Sequence, residues 1–221
     1  NGRAPWAGLA GDNVMAALVA GDRVWIGSTE STWDQAAGRY SDGGLAVFDG
    51  ESWTARTPAN TGGPAKGLGS GSVSALAGGC SGELWVGTGN GWDYWGAGVD
   101  VLRPGASVHD RAADTWARHS YPRLASNSTT GIAMDCDAGR AWVTGEHHVT
   151  RGNPSTGGGG DRVGGGVAEL DLASGTWTRH GKAEGFDSYS RDYITGEATS
   201  LAVAPDGTVW VGGYGTRELT T

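Results

Sequence analysis

The sequence predicts an all-β chain: part of a β-propeller, with three four-stranded antiparallel blades and half of a fourth. Two interleaved tryptophan series predict it. In the first, Val24-Trp25-Ile26-Gly27-Ser28, Leu84-Trp85-Val86-Gly87-Thr88, Ala141-Trp142-Val143-Thr144-Gly145 and Val209-Trp210-Val211-Gly212-Gly213 recur, roughly sixty residues apart, a repeat-protein period. In the second, Trp53, Trp116 and Trp177 sit in Ser52-Trp53-Thr54-Ala55-Arg56, Thr115-Trp116-Ala117-Arg118-His119 and Thr176-Trp177-Thr178-Arg179-His180. The turn signals Gly21-Asp22, Ser81-Gly82, Ala138-Gly139 and Asp206-Gly207 precede the first series, and Asp49-Gly50 and Ser174-Gly175 precede two of the second. Strand, tight turn and Trp-bearing strand make a hairpin, and two hairpins per period make a blade.

Each blade reads as strands a, b, c and d. Residues 1–12 are a lead-in. Blade one covers about 13–58, blade two about 72–122, blade three about 130–181, and the half blade 197–213. Strand a is short and apolar, as in Val73-Ser74-Ala75-Leu76, and strand c follows a glycine, as in Gly44-Leu45-Ala46-Val47-Phe48 and Gly98-Val99-Asp100-Val101-Leu102. The period exceeds that of a compact blade, so loops absorb the excess. Three blades and two strands do not close a ring, so the expectation is that the rest of the propeller lies in the same or another chain. The strand tryptophans Trp25, Trp53, Trp85, Trp116, Trp142, Trp177 and Trp210 are expected to pack between blades, since stacked repeats need repeated apolar wedges.

The run of a short apolar strand, Asp-Gly, Leu84-Trp85-Val86-Gly87-Thr88, Gly43-Gly44-Leu45 or Gly98-Val99, then Asp and Trp resembles the two-component-regulator type of propeller repeat. The resemblance covers about residues 13–213. Streptogramin lyase-like propellers are similar but match less well. Repeats of this type occur in periplasmic sensor domains and in secreted bacterial proteins, so the resemblance implies an extracellular or periplasmic location. It implies no particular chemistry, because one fold hosts many functions.

Sixteen Lys and Arg stand against 24 Asp and Glu, a net charge of −8. With no basic cluster, nucleic acid is not an expected partner. No apolar run is long enough for a transmembrane segment. Cys80 and Cys136 both fall in a–b turns of neighbouring blades; equivalent turns lie side by side on one rim, which allows a disulfide or leaves two free thiols.

In an antiparallel blade the b–c and d–a connections emerge on one face, and the a–b and c–d turns on the other. The insertions fall mainly on the first face. Long variable loops over a regular scaffold place binding there. These loops carry Trp33, Asp34, Tyr40, Trp92, Asp93, Tyr94, Trp95, Tyr189, Asp192 and Tyr193. Aromatic faces beside carboxylates suit a glycan, and equally a protein partner, while the same aromatics could simply fasten the loops to the blades.

The leading expectation is a non-catalytic recognition or scaffold module. One alternative is a propeller enzyme, a lyase or glycosidase, with a metal-assisted site at the axis and His147 or His148 as base. Adjacent residues on an extended chain point apart, which argues against both histidines binding one ion. A structural calcium held by loop aspartates such as Asp34, Asp42, Asp93 and Asp161 is the other metal expectation. No Gly-x-Ser-x-Gly elbow is present, and Gly87-Thr88-Gly89-Asn90-Gly91 lacks the Lys of a phosphate loop. A third alternative is a structural subunit whose ring another chain closes.

Overall fold

A computed structural model describes residues 8–29, 32–35, 39–41, 43–89, 96–146, 148–149, 162–163, 165–180 and 198–213. Strand β1 (Asn13–Ala20) pairs with β2 (Arg23–Thr29) around the turn at Gly21. A small hairpin, β3 (Thr32–Asp34) and β4 (Arg39–Ser41), interrupts the path to β5 (Gly44–Phe48) and β6 (Trp53–Arg56). Blade one is thus the sheet β1-β2-β5-β6. A short helix, α1 (Pro58–Thr61), leads to blade two. That blade contains β7 (Val73–Gly78), β8 (Leu84–Thr88), β9 (Gly98–Arg103) and β10 (Thr115–His119) in sequential order. Blade three contains β11 (Ser128–Asp135) and β12 (Arg140–Glu146), then a second inserted hairpin, β13 (His148–Val149) and β14 (Arg162–Val163), then β15 (Gly166–Asp171) and β16 (Thr176–His180). The half blade is β17 (Ala198–Val203) with β18 (Val209–Gly213). All pairings are antiparallel, so the all-β propeller architecture holds, as three blades and half of a fourth. The link through 58–65, a Gly/Pro-rich connection in sequence, is helical: Pro58 opens α1 at the position where its missing N–H costs nothing.

The first strand of each blade is innermost, and β1, β7, β11 and β17 lie side by side in that order. Every one of them carries a bulge at the same register, with Met15, Ser74, Thr130 and Thr199 as the extra residues. A bulge turns its residue out of the ladder and bends the strand. Ser74 uses this position to donate to the Thr129 carbonyl of the next blade at 2.6 Å, and Thr130 to that of Ala198 at 2.5 Å. Met15, the counterpart in blade one, has no hydroxyl to donate.

Volume is matched across the same seam. A Cβ on Gly27 would lie 2.5 Å from Cγ1 of Val73, and one on Gly87 2.6 Å from Cγ2 of Thr129. Glycine there admits the neighbouring strand. In blade three the position is Thr144, and the facing residue of β17 shrinks to Ala198.

Two cores fill the spaces between blades. Trp25, Leu45 and Val47 of blade one pack with Leu84, Val86, Leu102 and Val108 of blade two. Trp85, Val99 and Val101 of blade two pack with Ala141, Val143, Ala168 and Leu170 of blade three. Trp25 and Trp85 therefore wedge into the following blade. This corrects the expectation of seven equivalent core tryptophans. Trp25 and Trp85 are 3% exposed and Trp210 is 67% exposed, because no described blade follows the half blade. Trp53, Trp116, Trp142 and Trp177 are half-buried. At the other end, β1 leaves Val14, Met15 and Val19 exposed.

Candidate binding face and the seams between blades

The inserted hairpins β3–β4 and β13–β14 both belong to connections between second and third strands, so both rise on one face. Trp33, Asp34 and Tyr40 belong to β3 and β4, where Trp33 pairs with Tyr40 and Asp34 with Arg39. His148 belongs to β13 and pairs with Val163. Trp92, Asp93, Tyr94, Trp95, His147, Tyr189, Asp192 and Tyr193 lie outside the described residues, as do Asp42 and Asp161. Among the described residues no group of three His, Cys, Asp or Glu side chains could hold a metal ion. No described helix is long and apolar enough to cross a membrane.

Below this face a layer of buried hydroxyls fixes the strand ends. Thr88 Oγ1 donates to the Gly98 carbonyl at 3.0 Å and accepts from the Ala97 amide at 2.9 Å. Thr129 Oγ1 donates to the same carbonyl at 3.2 Å. These bonds satisfy buried backbone groups where the ladder ends.

Sequence reading missed a third periodic series. Three residues after each outer-strand tryptophan stands a cationic or imidazole side chain, Arg56, His119 or His180. Each lies over the second-strand tryptophan of its own blade: Arg56 Cζ is 5.5 Å from the Trp25 ring, His119 5.5 Å from Trp85, and His180 6.0 Å from Trp142. The signal was present in Thr54-Ala55-Arg56, Ala117-Arg118-His119 and Thr178-Arg179-His180, but only the sheet shows that outer strand and second strand share a face.

What these side chains meet differs from seam to seam. Arg56 and Asp114 are a fully buried ion pair, with Nε donating to Oδ2 at 2.6 Å and Nη2 to Oδ1 at 3.1 Å and to the Val108 carbonyl at 2.9 Å. Asp114 closes the long turn of blade two, whose His109 also reaches back to blade one: Nε2 lies 2.6 Å from Asp49 Oδ2 and Nδ1 lies 2.5 Å from Thr54 Oγ1. Hydrogen bonds donated by the backbone N–H groups of Ser52 and Glu51, together with His109, hold the Asp49 carboxyl well below the usual carboxylate range. Arg118 donates to Asp100 at 2.5 Å and to the carbonyls of Pro64 and Gly67, which ties the α1 link to blade two.

At the second seam, Cys80 and Cys136 form a disulfide with Cα atoms 5.4 Å apart, joining the inner turns of blades two and three. His119 stacks against Trp85 and lies 5.2 Å from Trp177, and its buried Nδ1 has no partner in the structure. Burial, helped by the charge of Arg123, holds its pKa below the ordinary imidazole value.

The blades define the class: this is a segment of a β-propeller. The sequence matches no family model, and no curated protein matches it. Among solved structures, PorZ, a bacterial surface component of the type-IX secretion system of Porphyromonas gingivalis, aligns over 96% of the chain at 11% identity with a TM-score of 0.57. The extracellular domain of a one-component system from B. thetaiotaomicron aligns over 91% at 16% identity, and that of a hybrid two-component system from the same organism over 92% at 17%, each with a TM-score of 0.41. The chain spans 26% of each of these proteins.

Proposed function

We propose that the chain is a non-catalytic extracellular or periplasmic recognition and scaffold module, which binds a glycan or protein partner through the face bearing the connections between second and third strands and between blades. The observation that carries this reading is the pair of inserted hairpins on that one face, above a hydroxyl-fastened scaffold. Precisely held strand ends with elaborated loops are how propellers and other regular folds present variable binding residues. Trp33 and Tyr40 share one of these hairpins, and Trp92, Asp93, Tyr94, Trp95, Tyr189, Asp192 and Tyr193 belong to connections on the same face by chain position. The Cys80–Cys136 disulfide supports an oxidising location.

The test is binding to an oligosaccharide array and to purified secreted proteins from the same source. The expected result is one ligand class bound by the wild type, with affinity reduced at least about tenfold in Trp33→Ala, Trp92→Ala and Trp95→Ala, as for aromatic hot spots. Undiminished binding by all three variants would remove the face assignment.

A second reading is favoured by the exposed apolar residues at both ends of the fan, Val14, Met15 and Val19 on β1 and Trp210 on β18. It holds that further blades, in this or another chain, cover them. Acrylamide quenching in the native source protein decides this: a Trp210 as accessible there as free tryptophan would end that reading.

A further inference from the structure

The turns between first and second strands gather on the inner rim, on the face opposite the long connections. Because β7, β11 and β17 lie side by side in that order, the β11–β12 turn stands between its two neighbours. On one side Cys136 bonds it to Cys80 of the β7–β8 turn, and both cysteines are exposed. On the other side a groove of about 620 Å³ separates it from the β17–β18 turn. Asp135, Cys136 and Asp137 line that groove from blade three, and Pro205 and Asp206 line it from the half blade.

We propose that Cys80–Cys136 is a reversible latch on the second seam, opened at Cys136 by an uncharged or cationic thiol that enters this groove. An exposed disulfide is open to thiol exchange, which a sealed structural one resists. Position decides which sulfur reacts. A thiolate attacks in line with the bond that breaks, from the side opposite the leaving sulfur. The groove lies on the side of Cys136 away from Cys80. The attack therefore falls on Cys136, and the bonding pair leaves on the Cys80 sulfur, which solvent protonates. A second thiol then displaces Cys136 from the mixed disulfide, so two thiols are oxidised to one disulfide and both cysteines are reduced. Charge decides which thiol enters. The groove lining holds three aspartates and no Lys, Arg or His. Asp135 accepts from the Ala138 amide at 3.0 Å and Asp206 from that of Thr208 at 2.9 Å, which fixes these carboxylates in their turns. Like charge at this range repels an anionic thiol. Opening is reversible because the seam keeps its other contacts. Ser74 still donates to the Thr129 carbonyl at 2.6 Å, and Trp85 and Val99 still pack with Val143 and Leu170. This rim faces away from the loop face, and neither proposal depends on the other.

The test reduces the folded full chain at low ionic strength with cysteamine, a cationic thiol, and with 3-mercaptopropionate, an anionic one. Each rate is divided by that thiol's rate with 2-hydroxyethyl disulfide, which removes the difference in intrinsic reactivity. Cysteamine is expected to be favoured about tenfold. Asp135→Asn combined with Asp137→Asn should reduce that preference, and so should molar salt. Should the double variant disturb the fold by near-ultraviolet circular dichroism, the salt dependence decides alone. Acid quenching at early times, alkylation and peptide mass mapping should find cysteamine on Cys136 and the alkyl group on Cys80. Complete reduction with dithiothreitol should keep the native near-ultraviolet spectrum, and reoxidation should restore the bond. Equal normalised rates for the two thiols, an adduct mainly on Cys80, reduction no faster than global unfolding, or loss of the native spectrum on reduction would each overturn the proposal.

Discussion

The first seam is clamped by charge and the second by a covalent bond and stacked rings. Between blades one and two, the long turn of blade two brings His109 and Asp114 back onto Asp49, Thr54 and Arg56, and the inner bulge contributes only Met15. Between blades two and three, the turn is tight, the ion pair is gone, and Cys80–Cys136, the Ser74 hydroxyl and the Trp85–His119–Trp177 group hold the blades. Repeats with the same backbone thus stay together by different chemistry. In a stacked array each interface contributes nearly independently to stability, so each can be lost separately.

Replacing Asp114 by Asn is expected to have the largest effect on this contrast. It leaves the Arg56 guanidinium buried without its counter-charge, and breaking one partner of a buried pair costs about 3–5 kcal/mol. Hydrogen exchange should rise in β5 and β6 while β11 and β12 stay protected. Equal loss in both blades would mean that the seams are not independent.

Removing the disulfide, by reduction or by Cys80→Ser with Cys136→Ser, should cost about 2–4 kcal/mol. The bridge closes a loop of 56 residues. Here exchange should rise in β7 and β11 and leave β1 and β2 unchanged. A urea midpoint unmoved by reduction would assign the second seam to its aromatic contacts alone.

The smallest effect is one of pH. Folding lowers the His119 pKa, chiefly through burial, so the unfolded chain binds more protons than the folded one as His119 titrates. Its contribution is complete above the unfolded value of about 6.5 and is lost as pH falls below it. The second seam should therefore loosen between about pH 6.5 and the carboxylate range. The first seam depends on Asp49, whose pKa is also depressed, and it should hold until the unfolded carboxylate value near 4 is passed. Exchange in β11 that rises as pH is lowered below 6.5 in the wild type, but not in His119→Gln, is the expected observation after correction for intrinsic rates. An identical pH response in the variant would assign the loosening to another group.

Local pattern determined the blades. Apolar segment, Gly-containing turn and Trp-bearing strand are signals within a few residues, and hairpin formation is a local event, so β1–β2, β7–β8, β11–β12 and β17–β18 are legible one at a time. The placement of Cys80 and Cys136 on neighbouring inner turns follows from the same register. The loop face was legible through insertion length, since a scaffold of fixed strands sends any excess chain outward, and the backbone of β3 and β4 sets Trp33 opposite Tyr40. The tertiary structure alone decided burial and partnership. The same Trp-Val or Trp-Ile motif is buried in β2 and β8 and exposed in β18, because burial depends on the following blade and not on the strand itself. Arg56 and Asp114, 58 residues apart, meet because one turn of blade two is long. Their counterparts at the second seam are His119 and Gly175, and the glycine offers no carboxylate. Sequence specifies the units through short-range backbone and turn preferences. The faces those units cover, and the charges they leave free, are set by long-range packing that no single repeat encodes.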